Sequence, residues 1–208
     1  MDMAIPYERT GRTHQKARTR DALILATRRL LEQGHAPTVE QAAAAASISR
    51  TTAYRYFPDQ RALLGAAHPE IDASSLLGED APDGVEERFA IVVESFLRLT
   101  VATEAAQRAT LRLSLAHDAG DREALPLRKG RAIGWLGEAL DPVRGQVDEA
   151  ALRRLVLAVR AGCGIEALVW LTDVAELSRE EAVEVMRWSA GALLQAALAP
   201  RGSAPSSP

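Results

Sequence analysis

The sequence predicts an all-α protein: an N-terminal three-helix domain followed by a larger helical domain, about nine helices in all. Three observations point there. Alanine and leucine dominate a chain that is 47% hydrophobic but only 4% aromatic, a composition that favours helix over strand. Apolar residues recur at three- and four-residue spacing instead of alternating. Chain-breaking Pro, Gly, Ser and Asp collect in short clusters, notably residues 69–84 and 200–208. No internal repeat is present.

Residues 1–18 are polar, with Arg9, Arg12, Lys16 and Arg18 among few apolar groups, and are expected to form a flexible basic arm. Such an arm is either a terminus without a role or one that touches a nucleic-acid backbone or minor groove. Thr19 can cap the first helix, which should run to about Gln33 and stop at Gly34. Its buried stripe is Ala22, Leu23, Ala26, Leu30 and Leu31.

Thr38 and Gln41 form a T-x-x-Q capping box that satisfies backbone N–H groups at the next helix start. The alanines of 42–46 propagate that helix, since alanine has the best intrinsic propensity. Ser47-Ile48-Ser49 ends it, and Ser49 is a good N-cap for Arg50–Phe57. This second helix is too short and polar to be stable alone, so its value lies in what it presents. The pattern is a helix-turn-helix, whose second helix enters the DNA major groove.

At about 100° per residue, Ala53 and Phe57 share one side of that helix with Tyr56 nearby, while Thr51, Tyr54 and Arg55 point away. A hydroxyl, a phenol and a guanidinium suit phosphates and base edges. Arg50 stands in the first turn, where it opposes the helix dipole unless an anion is near. The expected DNA contacts are Arg50, Thr51, Thr52, Tyr54, Arg55 and Tyr56, with Thr38 and Gln60 at backbone phosphates; Arg50 or Arg55 would read guanine.

Pro58 or Asp59 opens a further helix ending near His68-Pro69. After the 69–84 loop come helices over Val85–Thr103, Ala105–His117 and Glu123–Leu140, the last ended by Asp141-Pro142. Asp148–Val174 reads as one long apolar helix, and Ser178-x-x-Glu181 is a capping box opening a final helix to about Leu198. Ala182, Val185, Met186, Ser189, Leu193 and Ala196 make a stripe on that helix. The domains are therefore expected at 1–18 (arm), 19–67 (helix-turn-helix), 68–199 (ligand binding and dimerisation) and 200–208 (disordered tail).

The net charge of −3 conceals an asymmetry: residues 1–67 hold ten Lys/Arg and six Asp/Glu, the remainder fifteen and twenty-two. A basic N-terminal piece on an acidic body confines the electrostatic footprint to one domain. The single cysteine, Cys163, excludes an intramolecular disulfide framework and suits a reducing cytosol. No apolar signal core opens the chain, and Arg160 and Glu166 interrupt its most apolar helix, so a cytoplasmic location is expected. The four histidines (14, 35, 68 and 117) have no metal-ligand spacing, and no phosphate loop or G-x-S-x-G is present. Neither catalytic residues nor a metal or cofactor are expected.

Residues 19–67 resemble the DNA-binding domain of the TetR (tetracycline repressor) family of bacterial transcription regulators. The matching residues are Ala22-Leu23, Ala26, Gly34, Thr38-Val39, Ala43, Ala46, Ile48-Ser49, Thr52, Tyr54-Arg55-Tyr56-Phe57-Pro58 and Ala62-Leu63. The chain departs from the family pattern at Ala42 and Ala53, where large aliphatic residues are common, and at Ser47, where glycine is common. It departs again at Gln60, where the family has a phosphate-contacting lysine; this bears on the strength of DNA binding. The resemblance implies a ligand-responsive regulator, most in keeping with a repressor, that binds a pseudo-palindromic operator as a homodimer through its last two helices. It also implies a small-molecule effector cavity in the C-terminal helices, for which the candidate lining residues are Phe96, Arg112, His117, Trp135, Cys163, Glu166 and Trp170. The alternative is a TetR-like dimer with weakened DNA binding that acts as a ligand-binding or protein-interaction module.

Overall fold

The computed structural model describes residues 7–68, 73–115 and 131–199, with side chains from His14 onward. Within them regular structure is helical, apart from an isolated bridge between Arg144 and Val147. The first helices are α1 (Tyr7–Glu32), α2 (Val39–Ala45), α3 (Arg50–Tyr56), α4 (Gln60–Ala67), α5 (Val85–Ala102) and α6 (Glu104–Leu115). They are followed by α7 (Ala132–Ala139), α8 (Glu149–Cys163), α9 (Ile165–Val169), a π-helical turn (Trp170–Val174) and α10 (Arg179–Leu198). The chain divides into two compact units, Met1–Ile71 with Ala105–Lys129, and Asp72–Glu104 with Gly130–Pro208.

In the first unit, α1 closes as expected: Gly34 adopts φ 78°, its N–H bonds Leu31 O at 2.8 Å and the His35 N–H bonds Leu30 O at 3.1 Å. These two bonds make a Schellman C-cap, which glycine enters without a Cβ penalty. The start of α1 differs from the expected arm. The helix begins at Tyr7, so residues 7–18 are helical and Thr19 is not a cap; its hydroxyl donates to Gln15 O at 3.0 Å inside the helix. No proline interrupts 7–32, and Arg18 reaches Gln15 Oε1 at 2.7 Å one turn back. Both favour continuation.

Leu23, Val39, Ala42, Ala43, Ala53, Phe57 and Leu63 form one core cluster, joining α1 to α4. Ala42 and Ala53 are fully buried, so small side chains fill these positions by letting helices approach closely. A second cluster joins Leu31, Leu64 and Ala67 to Ala106 and Ala109 of α6. Most of α6, expected among the C-terminal helices, thus belongs to the first unit's core.

In the second unit, α10 lies against α8 and α5, and α7 against α5 and α8. The core includes Phe89, Phe96, Trp135, Leu136, Val159 and Leu168. The helix expected over Asp148–Val174 is broken. Gly164 is extended (φ −88°, ψ −179°) and separates α8 from α9. A Cβ there would overlap the Arg160 guanidinium, which pairs with Glu166 at 3.2 Å across the break. As a helical run, Glu149–Val174 is long and apolar enough to cross a membrane, its most apolar 18-residue stretch having a mean hydropathy of 1.7. Here Leu152, Leu155, Val156, Val159 and Cys163 of α8 are core residues, as in the central helix of a packed bundle. Ser178 and Glu181 form the expected capping box on α10.

Candidate nucleic-acid interface

Local chemistry sets the α2–α3 pair. Thr38 Oγ1 accepts the Gln41 N–H at 3.3 Å while Gln41 Oε1 accepts the Thr38 N–H at 2.8 Å, closing the capping box. The turn passes through Ser47 at φ 56°, the left-handed region, where the resemblance had pointed to glycine. Ser49 then caps α3: its Oγ accepts the Thr52 N–H at 3.2 Å and donates to Thr52 Oγ1 at 2.8 Å.

The faces of α3 divide as the sequence suggests. Ala53 and Phe57 are buried, and Arg20 covers the Phe57 ring at 5.5 Å. Tyr56 is half-buried against the same cluster, which commits much of its ring to the core. Arg50, Thr51, Tyr54 and Arg55 are exposed. Thr52 is half-buried, its hydroxyl engaged with the Ser49 cap.

Gln60 is turned inward. Its Nε2 donates to Ala36 O at 3.0 Å and Pro37 O at 3.1 Å, tying the start of α4 to the α1–α2 loop. The amide that would donate to a phosphate is thus occupied with backbone carbonyls.

Sequence reasoning did not single out Glu40. It stands one residue into α2, where its Oε1 accepts the Tyr54 hydroxyl at 2.6 Å and pairs with Arg50 Nη2 at 3.0 Å. The Arg50 guanidinium also lies 5.7 Å from the Tyr54 ring centroid. The Tyr54 bond, then the backbone N–H of Glu40 and the Thr38 hydroxyl, hold the Glu40 carboxyl below its ordinary range, and the same bond raises the Tyr54 phenol. These contacts span ten and fourteen positions between two helices, beyond the three- and four-residue pairs that a sequence displays on one helix face.

The ligand candidates fall into separate places. In the second unit, Phe96 and Trp135 meet edge-on at 6.4 Å, and Arg160 covers the Phe96 ring at 5.7 Å. Arg160 in turn bonds Glu166, so Phe96, Trp135 and Glu166 are linked through an arginine that nothing in the sequence singles out. Trp135 Nε1 is buried with no hydrogen-bond partner among the described residues. Cys163 is buried, its Sγ 3.6 Å from Met186 O, and burial pushes its thiol up to about 11. An inert core thiol fits that environment better than a nucleophile. Trp170 is 57% exposed. Arg112 is exposed on α6 in the other unit, and His117 lies outside the described residues. Three open clefts on the second unit, of about 480, 350 and 440 Å³, are lined by other residues: α7 with α8, and two along α5 with α10. Among the described residues no three His, Cys, Asp or Glu side chains gather as a metal site.

No protein-family model and no curated protein sequence matches the chain. Among solved structures it is similar to the crystal structure of a TetR transcriptional regulator from Rhodococcus sp. RHA1. The two share 18% identity at a TM-score of 0.53, with 86% of this chain and 97% of that chain covered. The likeness establishes the fold: this chain has the TetR-like all-α architecture.

Proposed function

We propose that the chain is a DNA-binding transcription regulator without catalytic activity. It acts in the cytoplasm as a homodimer on a pseudo-palindromic operator, in the manner of a ligand-responsive repressor. The observation that carries this reading is the outward face of α3, where Thr51, Tyr54 and Arg55 are exposed away from the buried Ala53 and Phe57, with Arg50 exposed in the first turn. A helix that buries two residues and exposes two guanidiniums, a phenol and a hydroxyl is built to present them. The basic balance of residues 1–67 and the fold's likeness to a TetR regulator support the same reading.

The dimer would use the outer face of the last helices, where Leu157, Trp170, Val174, Val185, Trp188 and Leu193 are exposed. The effector is a small molecule of unassigned class, held by the second unit. Its effect on DNA affinity cannot exceed its difference in affinity for the DNA-competent and DNA-incompetent forms.

Selection from a random-sequence duplex pool with purified protein at moderate salt tests the reading. Enrichment of one inverted repeat is expected. Arg55→Ala should then weaken binding about 5- to 150-fold, the equivalent of losing one bidentate base contact worth roughly 1–3 kcal/mol. Enrichment of nothing by folded dimeric protein would instead favour the second reading, a TetR-like ligand-binding or protein-interaction module. That reading draws on Gln60, whose amide bonds Ala36 and Pro37 and brings no charge to a phosphate.

A further inference from the structure

Glu40, on α2, is a carboxylate in contact with two side chains that α3 would offer to DNA. It holds both donors at once, the Tyr54 hydroxyl at 2.6 Å and Arg50 Nη2 at 3.0 Å, while Arg50 lies over the Tyr54 ring. All three side chains are substantially exposed, with Arg50 at 73% and Glu40 at 36%. The triangle does little for the fold, because an exposed ion pair is worth little to stability. Its position suggests another use.

Sequence-blind DNA binding needs only cations offered to phosphates. Glu40 answers the Arg50 charge internally and sets a negative charge where a phosphate would approach. Base reading is different. A guanidinium has five N–H donors in a planar fork, so Arg50 can keep Nη2 on Glu40 and still present other N–H groups to the acceptor edge of a guanine. The burden of the carboxylate therefore falls on the backbone-only mode more than on the base-reading mode. Discrimination built by penalising the wrong partner is a general route to specificity.

We propose that Glu40 is a specificity-determining residue that suppresses sequence-blind DNA binding by holding Arg50 and Tyr54 in one hydrogen-bonded triangle. The inference rests on the reading of α3 as the DNA-facing helix. It adds a role for a residue on α2 that need not touch DNA at all.

The test uses the full chain and two probes: the inverted-repeat duplex recovered by selection, and a shuffled duplex of the same length and composition. Binding is followed by fluorescence anisotropy across a KCl series for the wild type, Glu40→Gln and Glu40→Gln/Arg50→Ala. Glutamine keeps the shape and an acceptor for Tyr54 but removes the charge, and circular dichroism checks that helix content is retained. Glu40→Gln should tighten the shuffled duplex about 5- to 10-fold and change the selected duplex less than about 2-fold. It should also steepen the log–log salt slope on the shuffled duplex by about 0.9, the value for one further neutralised phosphate. Adding Arg50→Ala should return that slope to the wild-type value, which a merely structural role for Glu40 would not produce. Glu40→Ala must move shuffled binding in the same direction. An unchanged slope, equal factors on both duplexes, or loss confined to the selected duplex (Glu40 reading a base itself) would overturn the proposal while leaving α3 as the reading helix. Failure of the wild type to select or bind any duplex would overturn the DNA-binding reading, and this one with it.

Discussion

Ser47 and Gly34 sit in the same backbone region with φ 56° and 78°, and they make opposite demands. A side chain in the left-handed region costs roughly 1–2 kcal/mol, which glycine avoids while giving back about 0.5–1 kcal/mol in unfolded-chain entropy. Nothing lies within 4 Å of a Cβ built on Gly34, so Gly34→Ala meets no clash and should cost the strain less the entropy, a few tenths to about 1 kcal/mol. Ser47→Gly should stabilise by a few tenths to about 1 kcal/mol, the relief less the entropy. Urea midpoints with unchanged slopes would check both. A Ser47→Gly variant less stable than wild type would mean that the serine makes a compensating interaction. At this scale the sequence was legible wherever a residue acts on its own backbone: the caps at Thr38, Ser49 and Ser178 are as read. It was not legible where a side chain reaches another element. The inward turn of Gln60 onto Ala36 and Pro37, and the bonds from Glu40 to Arg50 and Tyr54, depend on how helices meet.

The break between α8 and α9 carries the same lesson for elements. Composition reads Glu149–Val174 as one helix, and glycine alone would only weaken it by about 1 kcal/mol. The extended Gly164 separates α8 from α9, and the Arg160–Glu166 pair spans the break, its guanidinium occupying the space a Cβ at residue 164 would need. Two effects compete in Gly164→Ala. Extended backbone suits alanine and lowers unfolded-state entropy, a gain of about 0.4–1 kcal/mol. Displacing Arg160 forfeits a half-buried ion pair and its contact with the Phe96 ring, roughly 1 kcal/mol together. The substitution should therefore be near neutral in the wild type and stabilising in an Arg160→Ala background. A double-mutant cycle should return a coupling of about 1 kcal/mol, and a coupling near zero would show that the pair does not constrain residue 164. The start of α1 differs from the expected flexible arm for a plainer reason: polarity without proline or a competing cap does not stop a helix.

For the whole molecule the deciding question is what covers the outer face of the last helices. The apolar stripe that the sequence shows on α10 resolves into two. Ala182, Met186, Ala190 and Leu194 recur every four residues and are buried, whereas Val185 and Leu193 are exposed. Trp188 is 74% exposed, and on the neighbouring run Trp170 is 57% and Val174 65% exposed. Two tryptophans left in water on adjoining elements are the kind of anchors that dominate protein interfaces. Trp188 is mostly in water in the monomer, so a substitution there should change the monomer's own stability by no more than about 0.5 kcal/mol. If a second copy covers this face, Trp188→Glu places a charge in a desolvated centre and should separate the dimer. Light scattering after size exclusion would then fall from twice the chain mass of 22.4 kDa to one, with helix content unchanged. Operator binding should fall with it, because a two-fold site is held by two recognition helices and a single copy engages one half-site. A wild type that stays monomeric at every accessible concentration would remove both the dimer and the palindrome. A dimer that survives Trp188→Glu would move the interface elsewhere and leave this exposed pair of tryptophans for a different partner.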